Sequence, residues 1–137
     1  MSIIVDTNVV AYYLLGTKQF ADEAREFWRS VVAPSAPAHW EAELANAIRM
    51  AIRTDVLPRD EGHQKLDMAA RLGIQSVSVR SLWQPALTRA LDSETAVYDA
   101  LFVELAAQRK VFLATFDKIL LTKFPEIAKR PRSLLPS

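Results

Sequence analysis

Ile3-Ile4-Val5-Asp6-Thr7-Asn8 is the stretch on which the reading of the fold turns. Three β-branched residues in a row predict a short, fully buried strand over residues 2–5. Asp6 ends the apolar run, and Asp6-Thr7-Asn8 supplies N-cap side chains for a helix reaching about Leu15 and stopping near Gly16. A buried strand that runs straight into a helix is the opening of a parallel α/β unit.

The same alternation continues outward from there. Helical spacing of Phe20, Ala24, Phe27, Trp28 and Val31 predicts a helix over 20–32, and Pro34 and Pro37 bracket a break with a very short strand around 36–39. Leu44, Ile48, Ala51 and Ile52 line one face of a helix over 40–54. Pro58 starts another helix that runs to about Leu72 and is stopped by Gly73. A strand at 76–79, a short helix over 81–91, and a helix over 95–108 apolar on nearly every side follow. The chain then reads as a strand at 111–114, a short helix over 117–123 and a last edge strand at 133–135. Short buried strands between helices predict a parallel sheet covered on both faces.

At 137 residues the chain is expected to form one domain, 1–137. Its 17 basic and 16 acidic residues leave a net charge of +1, which favours no class of partner. It has no cysteine, so disulfides, thiol catalysis and Cys-ligated zinc are excluded. His39 and His63 are the only histidines, too few for a histidine-rich metal site. No apolar run approaches the roughly 18 residues of a membrane span, and Met1-Ser2 carries no basic leader, so a cytoplasmic protein is expected. Three glycines (16, 62 and 73) cannot build a dinucleotide-binding glycine loop.

Against this background four carboxylates stand out: Asp6, Glu43, Asp99 and Asp117. Asp6 follows Ile3-Ile4-Val5, Asp117 follows Val111 to Phe116, and Asp99 sits inside Ala96-Val97-Tyr98-Asp99-Ala100-Leu101-Phe102-Val103. An unpaired buried carboxylate costs several kcal/mol, and no Lys or Arg cluster flanks these three. A bound cation is the economical partner, and oxygen-only ligation suits Mg²⁺ or Mn²⁺. Asp6 and Asp117 both follow strands, so both are expected at the crevice outside the strands' carboxyl ends. Asp99 and Glu43 lie near helix starts and can reach the same crevice. A carboxylate-held Mg²⁺ binds phosphate oxygens and activates water, so phosphodiester hydrolysis is the expected chemistry.

Taken singly, most of these acids have ordinary explanations. Asp6 and Asp117 suit helix caps, Glu43 suits a solvated helix face, and Glu41 competes with it. Only Asp99 has no evident wet face. Thr115, two residues before Asp117, either orients a water or is a plain strand-end threonine, and Asn46 either bonds Glu43 from one turn on or is a surface amide. Thr7 and Asn8 are either supporting donors or caps. Arg49, Arg53, Lys118, Lys123 and the 129–132 cluster are either phosphate contacts or solvated charge.

Val5-Asp6-Thr7-Asn8-Val9-Val10, Glu43-Leu44-Ala45-Asn46-Ala47-Ile48, Tyr98-Asp99-Ala100-Leu101 and Ala114-Thr115-Phe116-Asp117, in this order, resemble a PIN domain. Length and order are similar to the small VapC-type toxins of toxin–antitoxin pairs, over essentially the whole chain. The resemblance implies a three-layer α/β/α fold around a mostly parallel sheet of about five strands. It also implies a Mg²⁺- or Mn²⁺-dependent endoribonuclease that cuts RNA with metal-activated water. Asp6, Glu43, Asp99 and Asp117 become the catalytic metal ligands, and the Glu-x-x-Asn spacing favours Glu43 over Glu41. Asn8, Thr115 and Asn46 take supporting places. A cognate VapB-like antitoxin and a homodimer are the partners it implies, with Phe20, Phe27, Trp28 and the helix 40–54 as candidate apolar surface.

Two other classes are weighed against it. A haloacid-dehalogenase-like phosphatase needs a second Asp two residues after the first, where this chain has Asn8. A non-catalytic PIN-like module binding RNA or protein is the remaining alternative, and it gives no use to all four acids.

Overall fold

The computed structural model describes residues 2–136. Strands β1 (Ile3–Val5), β2 (Pro34–Pro37), β3 (Gln75–Val77), β4 (Leu113–Ala114) and β5 (Ala128–Lys129) alternate with helices. These are α1 (Thr7–Leu15), α2 (Ala21–Ser30), α3 (Trp40–Arg53), α4 (Gly62–Ala70), α5 (Trp83–Ser93), α6 (Val97–Arg109) and α7 (Lys118–Lys123). All four strand pairings are parallel, in the order β3-β2-β1-β4-β5. This is the expected α/β fold with a central five-stranded parallel sheet.

The order explains the layers. The chain steps from β1 to β2 to β3 in one direction and then crosses back to β4 and β5 on the far side of β1. Right-handed crossovers place α1–α4 on one face and α5–α7 on the other. Accordingly α1 packs on α2, α3 and α4, while α6 lies against β1, β2 and β4 and carries α5 on its back. The core between them holds Ile4, Val9, Val10, Leu44, Phe102, Leu113 and Leu120, all essentially free of solvent. Strand order reverses between β1 and β4, and there the two strands open a crevice at their carboxyl ends.

The expected helix stop holds at Gly16, which caps α1 with φ 64°, whereas α4 ends earlier than expected, at Ala70 with Arg71 as its cap, and Gly73 (φ 74°) turns the chain two residues later. Boundaries differ elsewhere. The helix expected from Pro58 begins as a 3-10 turn at Arg59–Glu61, and β2 lies two residues earlier than expected. The edge strand expected at 133–135 is absent. Pro131–Leu134 is a 3-10 turn, because Pro131 fixes φ and removes a ladder donor. The edge is β5 instead, held by Leu113 N–H on Ile127 O at 2.9 Å and Thr115 N–H on Lys129 O at 3.0 Å.

The aromatic surface expected for partners is mostly interior. Phe27 is buried, Phe20 stacks on Tyr12 with centroids 4.7 Å apart, and the Trp28 indole N–H bonds Val9 O. The 129–132 cluster is partly spent inside the fold as well. Arg130 bonds the buried carboxylate of Glu23 at 2.6 and 3.2 Å, and the Arg132 amide bonds it at 3.0 Å.

Candidate active site

Asp6 leaves β1 with extended backbone (φ −75°, ψ 152°) and stands at the N-cap of α1, yet its side chain makes no cap bond. The cap reading of this residue is therefore set aside by the structure. Its carboxylate instead turns towards the end of β4, where Thr115 Oγ1 donates to Oδ2 at 2.7 Å. Asn8 Nδ2 reaches the same oxygen at 3.3 Å. Asn8 also accepts the Phe116 amide through Oδ1 at 3.2 Å, so it bridges the β1–α1 and β4–α7 junctions.

Asp117 does act as a cap: its Oδ1 accepts the amides of Ile119 at 2.8 Å and Leu120 at 3.2 Å. Its own amide donates to Thr115 Oγ1 at 3.0 Å. Capping holds one oxygen and fixes the carboxylate plane at the mouth of the crevice.

Glu43 reaches the crevice from the first turn of α3, where Thr7 Oγ1 donates to its Oε1 at 2.7 Å. Glu41 is exposed on another face of α3, which separates the two glutamates that sequence left level. Asn46 is also exposed, and the described residues show no bond between it and Glu43. Of its two readings the surface amide is the one the structure shows, and Thr7 is the hydroxyl that bonds this acid.

Asp99 lies half-buried in the first turn of α6. Burial raises its pKa first, then the charges of Asp117 and Glu43, while His39 lowers it. Asp6 is pushed up to about 7, by burial above all and then by Asp99 and Glu43, against the Thr115 hydroxyl. The four acids therefore sense one another across a single crevice, from four different elements. Among the described residues none of the four bonds a Lys or Arg side chain.

His39 belongs to this group as well, although two histidines are too few for a histidine-rich metal site. It lies one helical turn before Glu43, with Nε2 3.8 Å from Glu43 Oε1 and donating to Tyr98 O at 3.0 Å. Its Nδ1 is buried without a partner. The signal available in the sequence was the i, i+4 spacing to Glu43.

The donor set suits a hard divalent cation: carboxylate oxygens, a buried Asp6 with no cationic side chain beside it, and mutual repulsion that a cation relieves. Among the described residues no three or more acidic or histidine side chains stand close enough together to hold a metal ion between them as they lie. Mg²⁺ needs no such cluster, since it commonly takes one or two carboxylates and keeps several waters.

No curated protein matches the chain in sequence. A family model described as PIN domain matches residues 3–129, and all four acids fall within that span. PIN domains are generally nucleases, and this chain belongs to the PIN-domain family.

Proposed function

We propose that the chain, folded as one PIN domain, is a Mg²⁺- or Mn²⁺-dependent endoribonuclease and the toxin of a toxin–antitoxin pair. The observation that carries the nuclease reading is that Asp6, Glu43, Asp99 and Asp117 face one crevice with no Lys or Arg side chain bonded to any of them among the described residues. In this reading the four acids serve as ligands of the cation, directly or through the waters it keeps. When bound, it offsets their charge, makes water more acidic and stabilises the negative charge that develops at phosphorus.

The remaining work falls to the chain's own groups. Thr115 and Asn8 hold Oδ2 of Asp6, Thr7 holds Oε1 of Glu43, and two amides hold Oδ1 of Asp117. Each of these carboxylates is thereby oriented through one oxygen, and the other oxygen would be the one available to a cation. Asp99, which no side-chain donor engages among the described residues, is the acid placed to accept the proton of the attacking water.

The RNA backbone has a natural track beside α3. A groove of about 500 Å³ between α3 and α4 is rimmed by Arg49, Arg53 and Arg59, none in an ion pair among the described residues. Arg49 and Arg53 lie six and ten residues along α3 from Glu43, and arginines free of ion pairs suit the phosphates of a strand that runs along the helix to the acids. The toxin reading adds an antitoxin that covers the crevice and a second copy of the chain.

The test is cleavage of a mixed structured-RNA pool by purified protein in Mg²⁺ or Mn²⁺, in EDTA, and with Asp99→Asn. Cuts that need metal and vanish in the variant support the reading. No cutting by wild-type protein freed of any partner would favour a non-catalytic RNA- or protein-binding module.

A further inference from the structure

His39 stands at the N-cap of α3, yet its ring caps nothing there. Its carbonyl accepts the Glu43 amide at 3.0 Å, while the ring crosses to the other helical layer and Nε2 donates to Tyr98 O at 3.0 Å. Tyr98 immediately precedes Asp99 in the first turn of α6. One residue therefore bonds the backbone at or beside two of the four acids, on helices that pack on opposite faces of the sheet. Among the described residues no other hydrogen bond joins α3 or its cap to α6.

We propose that His39 is a positioning residue, whose Nε2–H ties down the first turn of α6 and so sets Asp99 against Glu43 across the crevice. The need for such a tie is local. The first amides of a helix have no partner within it, and the N-cap of α6 is Ala96, which has no side-chain acceptor to give them. The carboxylates of Asp6, Glu43 and Asp117 are each held by a donor of their own. Asp99 has none among the described residues, so its aim depends on the turn that carries it.

Packing alone does not call for a histidine here. The ring centroid lies 4.8 Å from that of buried Phe102 and 6.4 Å from that of Tyr98. A phenylalanine would fill that slot without leaving Nδ1 buried and unbonded, as it is. The bond to a carbonyl fixes a proton on Nε2, so in the neutral ring Nδ1 carries only a lone pair. Glu43 Oε1, at 3.8 Å, is beyond hydrogen-bond reach and already takes the Thr7 hydroxyl. What the imidazole adds to the slot is the single N–H on Tyr98 O. The proposal rests on the metal-site reading of the four acids, and it adds a residue that acts through Asp99 rather than on the RNA.

Wild type is compared with His39→Phe, which keeps a ring and drops the donor, and with His39→Gln, which returns an N–H at similar reach. All measurements are made at a temperature where circular dichroism shows the three proteins folded. His39→Phe is expected to take up Mn²⁺ about tenfold more weakly and to cut RNA with kcat lowered by about 10–100-fold at an unchanged KM. His39→Gln recovers most of both. In metal-free wild type at pH 8, nitrogen-15 NMR should show the His39 proton on Nε2, with His63, the only other histidine, assigned by its own substitution. A proton on Nδ1 overturns the proposal. So does a His39→Phe protein that matches wild type in Mn²⁺ uptake and kcat, or a His39→Gln protein no better than His39→Phe. Wild type that binds Mn²⁺ more tightly than His39→Phe but cuts no RNA refutes the nuclease reading alone. Wild type that cuts with metal and is matched by His39→Phe refutes the role of His39 alone, and wild type that takes up no Mn²⁺ overturns both.

Discussion

The hydroxyl of Thr115 donates to Oδ2 of Asp6 across 2.7 Å and accepts the amide of Asp117 at 3.0 Å. One fully buried side chain thus fixes two of the four acids and ties the ends of β1 and β4 together. Thr115 is accordingly a positioning residue, acting through the carboxylates it holds.

Thr115→Val keeps the shape and removes the donor, leaving Asp6 Oδ2 with the longer Asn8 bond. Cleavage in Mg²⁺ is expected to fall by about 10–100-fold, the usual cost of losing an outer partner of a metal ligand. Stability should drop by roughly 1–3 kcal/mol for the lost buried bond. Thr115→Ser retains the hydroxyl and should recover most of the activity. Equal activity in all three proteins would remove Thr115 from the site.

Asp6 sets a pH dependence of stability in metal-free protein. Its folded pKa is about 7 against an ordinary 3.8, so the folded chain binds the extra proton between those values. The stability linked to this group is complete below about pH 4 and is lost as pH rises through 7, by roughly 4 kcal/mol. Thermal melts in EDTA should therefore give a lower midpoint at pH 8 than at pH 5.5, and Asp6→Asn should flatten that slope. Excess Mn²⁺ at pH 8 should raise the wild-type midpoint and raise that of Asp6→Asn by less.

Glu23 runs the other way. Burial pushes its carboxyl up, but the Arg130 bonds, the Arg132 amide and both guanidinium charges together hold it below the usual range. That contribution is present above about pH 4.5 and is lost as pH falls through the lowered value. Arg130→Met leaves the buried Glu23 with only the Arg132 amide and the exposed Arg132 guanidinium 3.6 Å away, and unfolding by urea should show a loss of about 2 kcal/mol, discounted for the part-exposed arginine. Its kcat should stay near wild type, since Arg130 holds the C-terminal segment to α2.

Thr7→Val tests the orientation of Glu43, whose Oε1 takes the Thr7 hydroxyl at 2.7 Å. Activity is expected to fall by about tenfold with KM for RNA little changed, because the carboxylate is misaimed while the RNA-binding surface is intact. A rise in KM alone would place Thr7 in substrate binding instead.

Much of the fold follows from local pattern. Ile3-Ile4-Val5 is a strand because nothing in it tolerates water, and the helices announce themselves by apolar spacing and by Gly16 and Gly73. The sheet edge was not legible. Ala128–Lys129 is two residues long, lies between Pro125 and Pro131, and exists because β4 offers it two amides. Pattern instead favoured 133–135, where apolar residues follow a proline that starts a 3-10 turn.

The site was legible in its acids and not in their company. Asp99 inside an apolar helix cannot be explained by local structure, whereas Asp6 looks like a cap until its carboxylate is seen turned to Thr115. The residues that orient the acids come from far away in sequence, as Thr7 does for Glu43, so spacing along the chain could not reveal them. Arg130 was indistinguishable from a solvated cation because its partner, Glu23, lies on another helix. The exposed apolar stripe of α5 (Trp83, Leu87 and Leu91) was hidden for the opposite reason: helical spacing predicts an apolar face, and only packing shows which face is covered.

Mn²⁺ binding, followed by the electron paramagnetic resonance of the free ion, tests the central claim most directly. Wild-type protein is expected to take up Mn²⁺ saturably at neutral pH, with Mg²⁺ competing, and Asp6→Asn, Glu43→Gln, Asp99→Asn and Asp117→Asn should each weaken uptake by about tenfold or more. Uptake that is absent in the wild type, or unchanged in all four variants, would contradict the assignment of these carboxylates as a metal centre.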